Sequence, residues 1–319
     1  MNRKPDSNLM IAVVLYENER EQVFRMLRSL DASVSKLEPV RKAKIKFGDC
    51  SKSPSLTATD VDKIQHQMRN LEIEYEFWDE NIHHSLGINR LCNKLEEEAL
   101  LVLNPDSILS PNTLSELFKK YDGRNLVEAR QFPIEHTKPF DSKTGITSWN
   151  SGCCLLVPSN IFNSLDGFDG EVFPNYANDV DFSWRAKIAG SDSLVAENAF
   201  VYHDKRFDAA TKSVAGSELE GFESKVSYLL MLKKFACDAE YLKTIEWLYK
   251  NSSDFNSIKK MVSLRSTKIK FINNELIEST FFSIRDGVYG PSNLYQLGMS
   301  NRDFKFRYSR KNHKERVLN

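Results

Sequence analysis

The sequence predicts an α/β fold, with a doubly wound, mostly parallel sheet followed by a mainly helical C-terminal region. Three observations favour it. Short, continuously apolar runs recur through the first half, and such runs are typical of strands buried on both faces. Segments with helical spacing separate these runs, which indicates right-handed crossovers between parallel strands. Further along the chain, helical patterns replace the apolar runs.

Predicted strands and helices alternate through the N-terminal half. The predicted strands are Leu9–Tyr16, Ala43–Phe47, Ile73–Trp78, Ala99–Leu103, Leu126–Phe132, Gly152–Val157 and Ser193–Tyr202. The predicted helices are Glu19–Leu30, Asp60–Asn70, Leu86–Glu98, Asn112–Tyr121, Ser159–Leu165 and Asp179–Ala189. We expect Asn18 to cap the first helix and Gly190 to end the last one.

The composition changes at the polar stretch 206–217, so we divide the chain into two regions, 1–210 and 211–319. The second region has helical patterns at Glu218–Tyr249, Ser253–Val262 and Glu275–Ile284, and the first of these is expected to form core or a dimer surface. The final stretch, Asn301–Arg316, combines seven Lys/Arg and two acids with three aromatic residues. Such a stretch either contacts anionic phospholipid or a polyprenyl-diphosphate acceptor, or forms a solvated chain end packed on the domain.

The composition disfavours nucleic-acid-binding, membrane-spanning and disulfide-bonded proteins. Equal numbers of positive and negative residues, 44 each, give no overall field that would recruit nucleic acid, so no nucleic-acid partner is expected. The longest apolar runs are too short to span a bilayer and the N-terminus lacks a signal-peptide pattern, which favours a cytoplasmic protein. Five cysteines without metal-ligand spacing indicate buried, reduced thiols.

Two glycine-rich nucleotide motifs are absent from the sequence. No Gly-x-Gly-x-x-Gly follows the first strand, which disfavours a dinucleotide-binding domain, and the missing Gly-x-x-x-x-Gly-Lys-Ser/Thr excludes a P-loop NTPase. A nucleotidyltransferase remains a rival class. It should carry a glycine-rich basic loop after the first strand, which Tyr16–Arg20 does not supply.

Polar residues cluster where the predicted strands end. Asp49 and Asp106 follow the second and fourth strands, Asp179 and Asp181 begin a helix, and His203 follows the last strand. In open α/β sheets, ligands bind at this edge. A divalent cation that bridges phosphates often takes only one or two protein ligands, so Asp106 with His203 would suffice. Such a cation would offset charge on a departing diphosphate.

The order of these motifs resembles the GT-A fold, family 2 glycosyltransferases, particularly a rhamnosyltransferase-like branch. The resemblance covers about residues 9–205. Its most specific part is Asn-Pro-Asp at 104–106 followed by Asn-Asp-x-Asp-x-x-x-Arg at 178–185. The matching segments are Ile11–Asn18, Gly48–Ser51, Asn81–Asn89, Leu101–Asp106, Asn150–Gly152, Gly167–Asp169 and Asn178–Arg185.

The resemblance implies an inverting transfer from a nucleotide-sugar donor, dTDP-rhamnose or a UDP-hexose, in surface polysaccharide synthesis. The acceptor would be a saccharide or a polyprenyl-diphosphate-linked saccharide, with contact at the inner face of the membrane and homo-oligomerisation left open. Asn104 and Asp106 would bind the diphosphate, and Asp106 and His203 a Mg²⁺ or Mn²⁺ ion. The alternatives are a turn or helix-capping role for Asn104 and Asp106, and a structural role for His203.

The same resemblance places the donor base near Asp49, with Tyr16 and Glu17 lining its pocket. The alternative for Asp49 is a simple turn residue in Gly-Asp-Cys-Ser. The segment Trp149–Gly152, including Ser151, would lie beneath the donor sugar and the acceptor, where a glycine permits close backbone approach.

Asp179 matches the aspartate that acts as catalytic base in the family. Inverting transfer needs a carboxylate to take the acceptor proton, and a helix N-terminus keeps a carboxylate ionised. The alternative is that Asp179 caps the helix, a role that Asn178 could also fill. The family more often has Glu-Asp here. Asp181 and Arg185 are expected to form a supporting ion pair at helical spacing.

A second rival class is a catalytically inactive scaffold that binds sugars or partner proteins. It is suggested by Asn104 and Asn178, which stand where acidic residues are common in the family. Binding of a nucleoside diphosphate without transfer would favour the scaffold. His83 and His84 fall in the donor-side loop and are expected to be solvated surface residues.

Overall fold

The computed structural model describes residues 9–37, 43–132, 134–136, 138, 140–204, 207–208, 213–214, 218–272 and 293–294. The helices in this part are α1 (Arg20–Val34), α2 (Ala58–Gln67), α3 (His83–Leu91), α4 (Thr113–Lys120), α5 (Ser159–Ser164), α6 (Asn178–Ile188), α7 (Glu218–Lys234), α8 (Asp238–Asn251) and α9 (Phe255–Ser266). The strands are β1 (Leu9–Leu15), β2 (Ala43–Asp49), β3 (Leu71–Phe77), β4 (Ala99–Leu103), β5 (Ser107–Leu109), β6 (Leu126–Phe132), β7 (Ile134–Glu135), β8 (Ile146–Thr147), β9 (Cys154–Pro158), β10 (Ser193–His203), β11 (Phe207–Asp208), β12 (Ser213–Val214) and β13 (Asn293–Leu294).

The main sheet confirms the predicted α/β class. Its strand order is β3-β2-β1-β4-β9-β6-β10-β5, and β8 pairs with β10 outside this path. Strands β1 to β4 are parallel, as are β6 and β10. Strand β9 runs antiparallel to both β4 and β6, so its first residue, Cys154, lies opposite Leu103 at the end of β4. The reversal therefore brings the segment before β9 to the C-terminal edge of β4.

Helices cover both faces of the sheet, which explains why β1 and β4 are buried along their whole length. On one face, Ile11 and Val13 of β1 belong to a core cluster with residues of α1, α2 and α4. On the other, Met10 and Ala12 belong to a cluster with α3, α5 and α6. Continuous apolar runs are the pattern that this two-sided burial requires.

The C-terminal helices share a third core cluster with the sheet region. Trp184 of α6 and Phe173, in the loop before α6, belong to it together with residues of α7, α8 and α9. The rings of Trp184 and Phe235 lie 4.9 Å apart in an edge-on arrangement. The division into regions 1–210 and 211–319 stays a prediction.

The predicted helical segment Glu218–Tyr249 is interrupted by a tight turn between α7 and α8. Ala236 has a left-handed φ of 54°, and the Cys237 amide donates to the Leu232 carbonyl at 2.8 Å. These are features of a helix C-terminus that usually has glycine at the left-handed position. Because an alanine occupies that position, the sequence carries no visible signal for the break.

Several smaller predictions differ from the structure. Asn18 does not cap α1, whose N-cap is Glu19, because the Asn18 side chain instead accepts from the Tyr16 amide and donates to Gln22. Helix α3 begins before the predicted Leu86 and ends before Glu98. The predicted helix Glu275–Ile284 and the basic stretch Asn301–Arg316 lie outside the described residues.

The five cysteines are free, and four of them are buried, as predicted. In the part of the chain that the structure describes, no helix combines the length and the apolar character needed to cross a bilayer.

Candidate functional site

Asp49 closes the loop that follows β2. Its side chain is fully buried and accepts hydrogen bonds from the Ser51 amide at 2.9 Å, the Ser55 amide at 2.7 Å and the Tyr75 hydroxyl at 2.5 Å. Burial raises the pKa of Asp49, but these hydrogen bonds outweigh it and lower the pKa below its usual value. The contacts shape the loop 49–55, and a contact between Asp49 and a donor base stays a prediction.

Tyr16 and Glu17 lie beside this loop, at the end of β1. Tyr16 is 50% exposed. The Glu17 amide donates to the Ser51 hydroxyl at 2.7 Å, and its carboxylate accepts from the Lys52 amide at 3.1 Å. The structure thus brings together the three residues predicted for the donor-base pocket, with Tyr16 available to a ligand.

Asp106 and His203 meet between β4 and the end of β10. Asp106 Oδ1 lies 3.2 Å from His203 Nε2, and the side-chain nitrogen of Asn104 lies 3.4 Å from the same ring nitrogen. Strand β5 follows Asp106 directly and pairs with β10, with Ser107 opposite His203. This pairing holds the two predicted metal ligands side by side. A strand of three residues is too short to be predicted from its sequence pattern.

The donor atoms of Asp106 and His203 fit a divalent cation. Two ligand atoms that each lie about 2.1 Å from a metal ion, at right angles, are roughly 3 Å apart, close to the observed separation. Among the described residues, no group of three or more His, Cys, Asp or Glu side chains is placed to hold a metal. Two protein ligands are enough where phosphate oxygens and water complete the coordination shell.

The ring of His203 is buried against polar neighbours. Burial lowers the pKa of His203, but the Cys153 sulfur and the Asp106 carboxylate raise it to about 9. Cys153 precedes β9, and Ser107 contacts its sulfur at 3.2 Å. The sequence did not single out Cys153, since one cysteine beside another has no spacing signal.

Asp179 contacts the same segment before β9 from the other side. Its Oδ2 accepts from the Gly152 amide at 2.9 Å, and its Oδ1 accepts from the Val180 amide at 2.9 Å. Asp179 is the second residue of α6, where the helix dipole favours a carboxylate. The backbone amide of Asn104 donates to the Cys153 carbonyl at 3.0 Å. Residues 152–153 therefore join Asp179 to the Asn104–Asp106 turn.

Asp181 and Arg185 form the predicted ion pair, with 2.8 Å between Nε and Oδ2. Arg185 also donates to the carbonyls of Leu165 and Gly167. The sequence missed the second partner of Asp181: Lys234 of α7 is buried and lies 2.6 Å from both Asp181 Oδ1 and Asp169 Oδ2. Helix α6 is therefore fixed by charge to α7.

Trp149 and Lys138 lie on the other side of the segment before β9. Trp149 is buried, and the Lys138 ammonium group lies 4.1 Å from the centre of its ring and donates to its backbone carbonyl. Lys138 also pairs with the buried Glu128. Burial raises the pKa of Glu128 and lowers the pKa of Lys138, and their attraction opposes both shifts. Neither Glu128 nor Lys138 was predicted. A charged residue in a strand or in a loop is ordinarily solvated, so the sequence does not indicate that these two are buried together.

His84 is not the solvated residue that the sequence predicted, although His83 is exposed. The Nδ1 atom of His84 lies 3.2 Å from the side-chain nitrogen of Asn178. Its Nε2 atom is buried and has no hydrogen-bond partner among the described residues. Burial lowers the pKa of His84 to about 4, so the ring is neutral at pH 7.

Left-handed backbone conformations cluster around these residues. Four non-glycine residues with positive φ flank the C-terminal edge of the sheet or the start of a site helix: Glu17 (52°), Asp79 (50°), His83 (66°) and Ala177 (58°). Such conformations cost free energy and are concentrated at functional sites. Ala177 directly precedes α6 and sets the position of its first turn.

Comparison with known proteins bears on the fold. The sequence matches no family model, and no curated protein matches it at a significant level. Among solved structures, GalNAc-T7 with UDP, GalNAc and Mn²⁺ aligns with a TM-score of 0.58 at 11% identity over 88% of this chain and 58% of that one. The mannosyltransferase PcManGT from Pyrobaculum calidifontis, in complex with GDP-Man and Mn²⁺, aligns with a TM-score of 0.53 at 12% identity over 95% of this chain and 84% of that one.

The present chain thus spans less than two thirds of the length of the first of these proteins. At such identities the likeness concerns the fold. The features of that fold in this chain are the mostly parallel α/β sheet and the helices that follow it. The chain has the fold of GT-A glycosyltransferases.

Proposed function

We propose that the protein is an inverting, cation-dependent glycosyltransferase of family 2, in its rhamnosyltransferase-like branch. One observation carries the proposal: residues 152–153 join the Asn104–Asp106 turn to Asp179. The Cys153 carbonyl accepts from Asn104, and the Gly152 amide donates to Asp179. A group that holds the diphosphate and a group that takes a proton are thereby fixed on one short backbone segment.

In this proposal Asp179 is the base. Its carboxylate takes the proton of the acceptor hydroxyl while that oxygen attacks the anomeric carbon from the face opposite the diphosphate. The hydrogen bonds from Gly152 and Val180 hold the carboxylate in place. Asn178, buried at the helix start, contributes a contact with His84 in place of a second carboxylate.

Asp106 and His203 would hold Mg²⁺ or Mn²⁺, with Asn104 beside the diphosphate. When bound, the cation would offset the charge that develops on the leaving nucleoside diphosphate. The loop 49–55 with Tyr16 and Glu17 would take the base of the nucleotide. Ser151 and Gly152, which follow the buried Trp149 in the sequence, would lie beneath the transferred sugar.

The donor in this proposal is dTDP-rhamnose or a UDP-hexose, and the acceptor is a saccharide or a polyprenyl-diphosphate-linked saccharide of a surface polysaccharide. We place the reaction in the cytoplasm, at the inner face of the membrane. Exposed apolar side chains on α8, among them Leu242, Trp247 and Tyr249, support a contact with a membrane or a second copy.

A donor screen tests the proposal. The purified protein is incubated with nucleotide sugars and a saccharide acceptor, with and without Mn²⁺ or Mg²⁺, and the released nucleoside diphosphate is measured. We expect release that requires both the acceptor and the cation. Tight nucleotide binding without release from any donor would favour the inactive scaffold instead.

The base assignment is tested with Asp179→Asn. We expect donor affinity near that of the unsubstituted protein and a loss of transfer of about 10²- to 10⁴-fold. Asp192→Asn is the matched control, because Asp192 is half-exposed and the one cation paired with it among the described residues, Lys187, lies 3.8 Å away. Normal turnover by Asp179→Asn would show that another group is the base.

The metal assignment is tested with Asp106→Ala. Removal of the only carboxylate beside His203 in the described site should weaken cation-dependent donor binding by at least tenfold, as measured by titration calorimetry in Mn²⁺. Donor affinity that is unchanged and still cation-dependent would remove Asp106 from the metal site.

A further inference from the structure

Gln131 of β6 joins His203 to the segment before β9. Its side-chain oxygen lies 3.0 Å from His203 Nδ1, and its side-chain nitrogen donates to the Ser151 hydroxyl at 2.7 Å. Gln131, Ser151 and His203 are at most 6% exposed. The amide is thus enclosed between two fixed partners, and water does not compete for either of them.

The chain of hydrogen bonds continues behind Ser151. The backbone amide of Ser151 donates to the Glu128 carboxylate at 2.5 Å. Glu128 is buried and pairs with the buried Lys138, which in turn donates to the Trp149 carbonyl. The position of Ser151 is therefore set by a buried ion pair whose carboxylate, Glu128, lies three residues before Gln131 on β6.

A histidine that binds a cation through Nε2 must carry its ring proton on Nδ1. That proton needs an acceptor, because a buried unpaired N–H costs free energy. The Gln131 carbonyl oxygen is in position to be that acceptor. If the Gln131 amide were turned around, its nitrogen would donate to an unprotonated Nδ1. The ring proton would then lie on Nε2, and this nitrogen could not bind a cation beside Asp106.

We propose that Gln131 is a positioning residue that holds the ring proton of His203 on Nδ1 and leaves Nε2 to ligate the cation beside Asp106. The inference rests on the cation-dependent function proposed above. Glu128 and Ser151 act through Gln131, since they fix the amide that meets the ring. Outer partners of this kind are worth about 10- to 100-fold in metal affinity.

The first test detects the ring proton directly in the metal-free protein, at a pH above the His203 pKa of about 9, where the neutral ring carries a single proton. The full chain is labelled with ¹⁵N-histidine, and the ring nitrogens of His203 are assigned by comparison with His203→Gln. We expect a protonated Nδ1 in the unsubstituted protein. Gln131→Met should shift His203 to a mixture of tautomers, whereas Gln131→Glu, which keeps an acceptor oxygen, should restore the Nδ1 proton.

The second test measures Mn²⁺ binding in the presence of UDP by electron paramagnetic resonance. Gln131→Met should weaken binding about 10- to 100-fold, and Gln131→Glu should recover most of the loss. Ser151→Ala, which frees the amide but keeps the backbone bond to Glu128, should give a smaller loss and a partial shift of the tautomer. It also serves as the test should Gln131→Met not fold.

Gln65→Met is the matched control. Gln65 also bridges two groups, through the Leu71 carbonyl and the Ile73 amide, but it lies beside β3 away from the site. Its replacement should leave Mn²⁺ affinity and the His203 tautomer unchanged. A loss of affinity that Gln65→Met shares would identify the effect of Gln131→Met as a general loss of stability and overturn the inference.

Two results would overturn the role of Gln131 directly: a bare Nδ1 in the unsubstituted protein, or normal Mn²⁺ affinity and tautomer in Gln131→Met. Failure of the proposed function has a different signature. If the unsubstituted protein binds no Mn²⁺ with UDP, dTDP or GDP, the cation-dependent transfer is contradicted, while the ring-proton measurement still decides whether Gln131 orients His203.

Discussion

Gly152 is the residue at which the two groups of the proposed mechanism come closest through the backbone. Its amide donates to Asp179, and the next residue accepts from Asn104. A Cβ atom placed on Gly152 would lie 3.6 Å from Asp179 Cβ and 3.8 Å from its Oδ2, which are ordinary contacts. The protein itself therefore does not require glycine here.

We expect Gly152→Ala to keep the melting temperature and to lower kcat/KM for transfer by about 10- to 200-fold, because the methyl group would meet the substrate. The measurement pairs calorimetry with the transfer assay. Gly48→Ala is the steric contrast, since its Cβ would lie 2.0 Å from the Trp78 ring and should destabilise the fold. Full activity of Gly152→Ala would contradict a close approach of the sugar.

His84, whose ring nitrogen Nε2 is buried, makes stability depend on pH. Its pKa is about 4 in the folded protein, below the usual value of 6.5, because burial disfavours the charged ring. The unfolded chain therefore binds more protons between these values, and stability is lost as pH falls from about 6.5 toward 4. From these pKa values we expect this residue to lower the free energy of unfolding by about 2 kcal/mol between pH 7 and pH 5.

Urea titration at the two pH values, on the unsubstituted protein and on His84→Gln, measures this contribution. The difference in pH dependence between the two proteins isolates His84 from the other titrating groups. His83→Gln serves as the control, because His83 is exposed. Identical pH dependence in the unsubstituted protein and in His84→Gln would show that the ring is not buried in neutral form.

At the scale of elements, α6 carries the proposed base and is held in place by buried charge. Lys234 of α7 contacts both Asp181 and Asp169, and it is 1% exposed. Removal of one partner from a buried ion pair leaves an uncompensated charge, which costs about 3–5 kcal/mol. Arg185 remains beside Asp181 and limits the loss.

We accordingly expect Lys234→Met to lower the free energy of unfolding by about 3 kcal/mol, measured by urea denaturation. Lys250→Met is the control, because the pair between Lys250 and Glu246 is exposed to solvent and contributes little to stability. Equal effects of the two substitutions would contradict the part assigned to the buried pair.

Elements were predictable from sequence where their signal is local. The buried strands β1 and β4 were visible as apolar runs, and the pairing of Asp181 with Arg185 as a helical spacing. The direction of β9 could not be predicted, because an apolar run has the same pattern whether the strand is parallel or antiparallel to its neighbours. The turn at Ala236 escaped notice because its usual glycine is missing.

The candidate site was predictable to the same extent. Asp49, Asp106, Asp179 and His203 follow strands or begin helices, and the sheet edge gathers such residues. Gln131 gave no signal, since a polar residue in a strand ordinarily faces water. Its partners, Ser151 and His203, lie 20 and 72 residues further along the chain, so only the three-dimensional arrangement shows these contacts.

At the scale of the whole molecule, one core cluster contains residues from both sides of the predicted boundary at residue 210. Trp184 and Phe173, which belong to the sheet region, are buried in one cluster with α7, α8 and α9. Removal of these helices would expose large apolar side chains. We therefore expect residues on each side of this boundary to stabilise those on the other side.

We expect the full chain to unfold in one cooperative transition in calorimetry, with equal calorimetric and van't Hoff enthalpies. A fragment ending at residue 217 should lose that transition, because the cluster around Trp184 loses its cover. Tryptophan fluorescence provides a second probe of the same event. Two separate transitions, or a fragment with the melting temperature of the full chain, would contradict this dependence.

The reversed strand β9 also has a kinetic consequence. The pairings of β1 with β2, of β2 with β3 and of β1 with β4 need only residues up to 103, but β4 gains its other neighbour only when β9 arrives. Contacts between such distant segments require large loops to close, which slows folding. The edge that carries the candidate site is completed by the last strands of the main sheet to be synthesised, so the parallel part of the sheet can form before the residues of the candidate site come together.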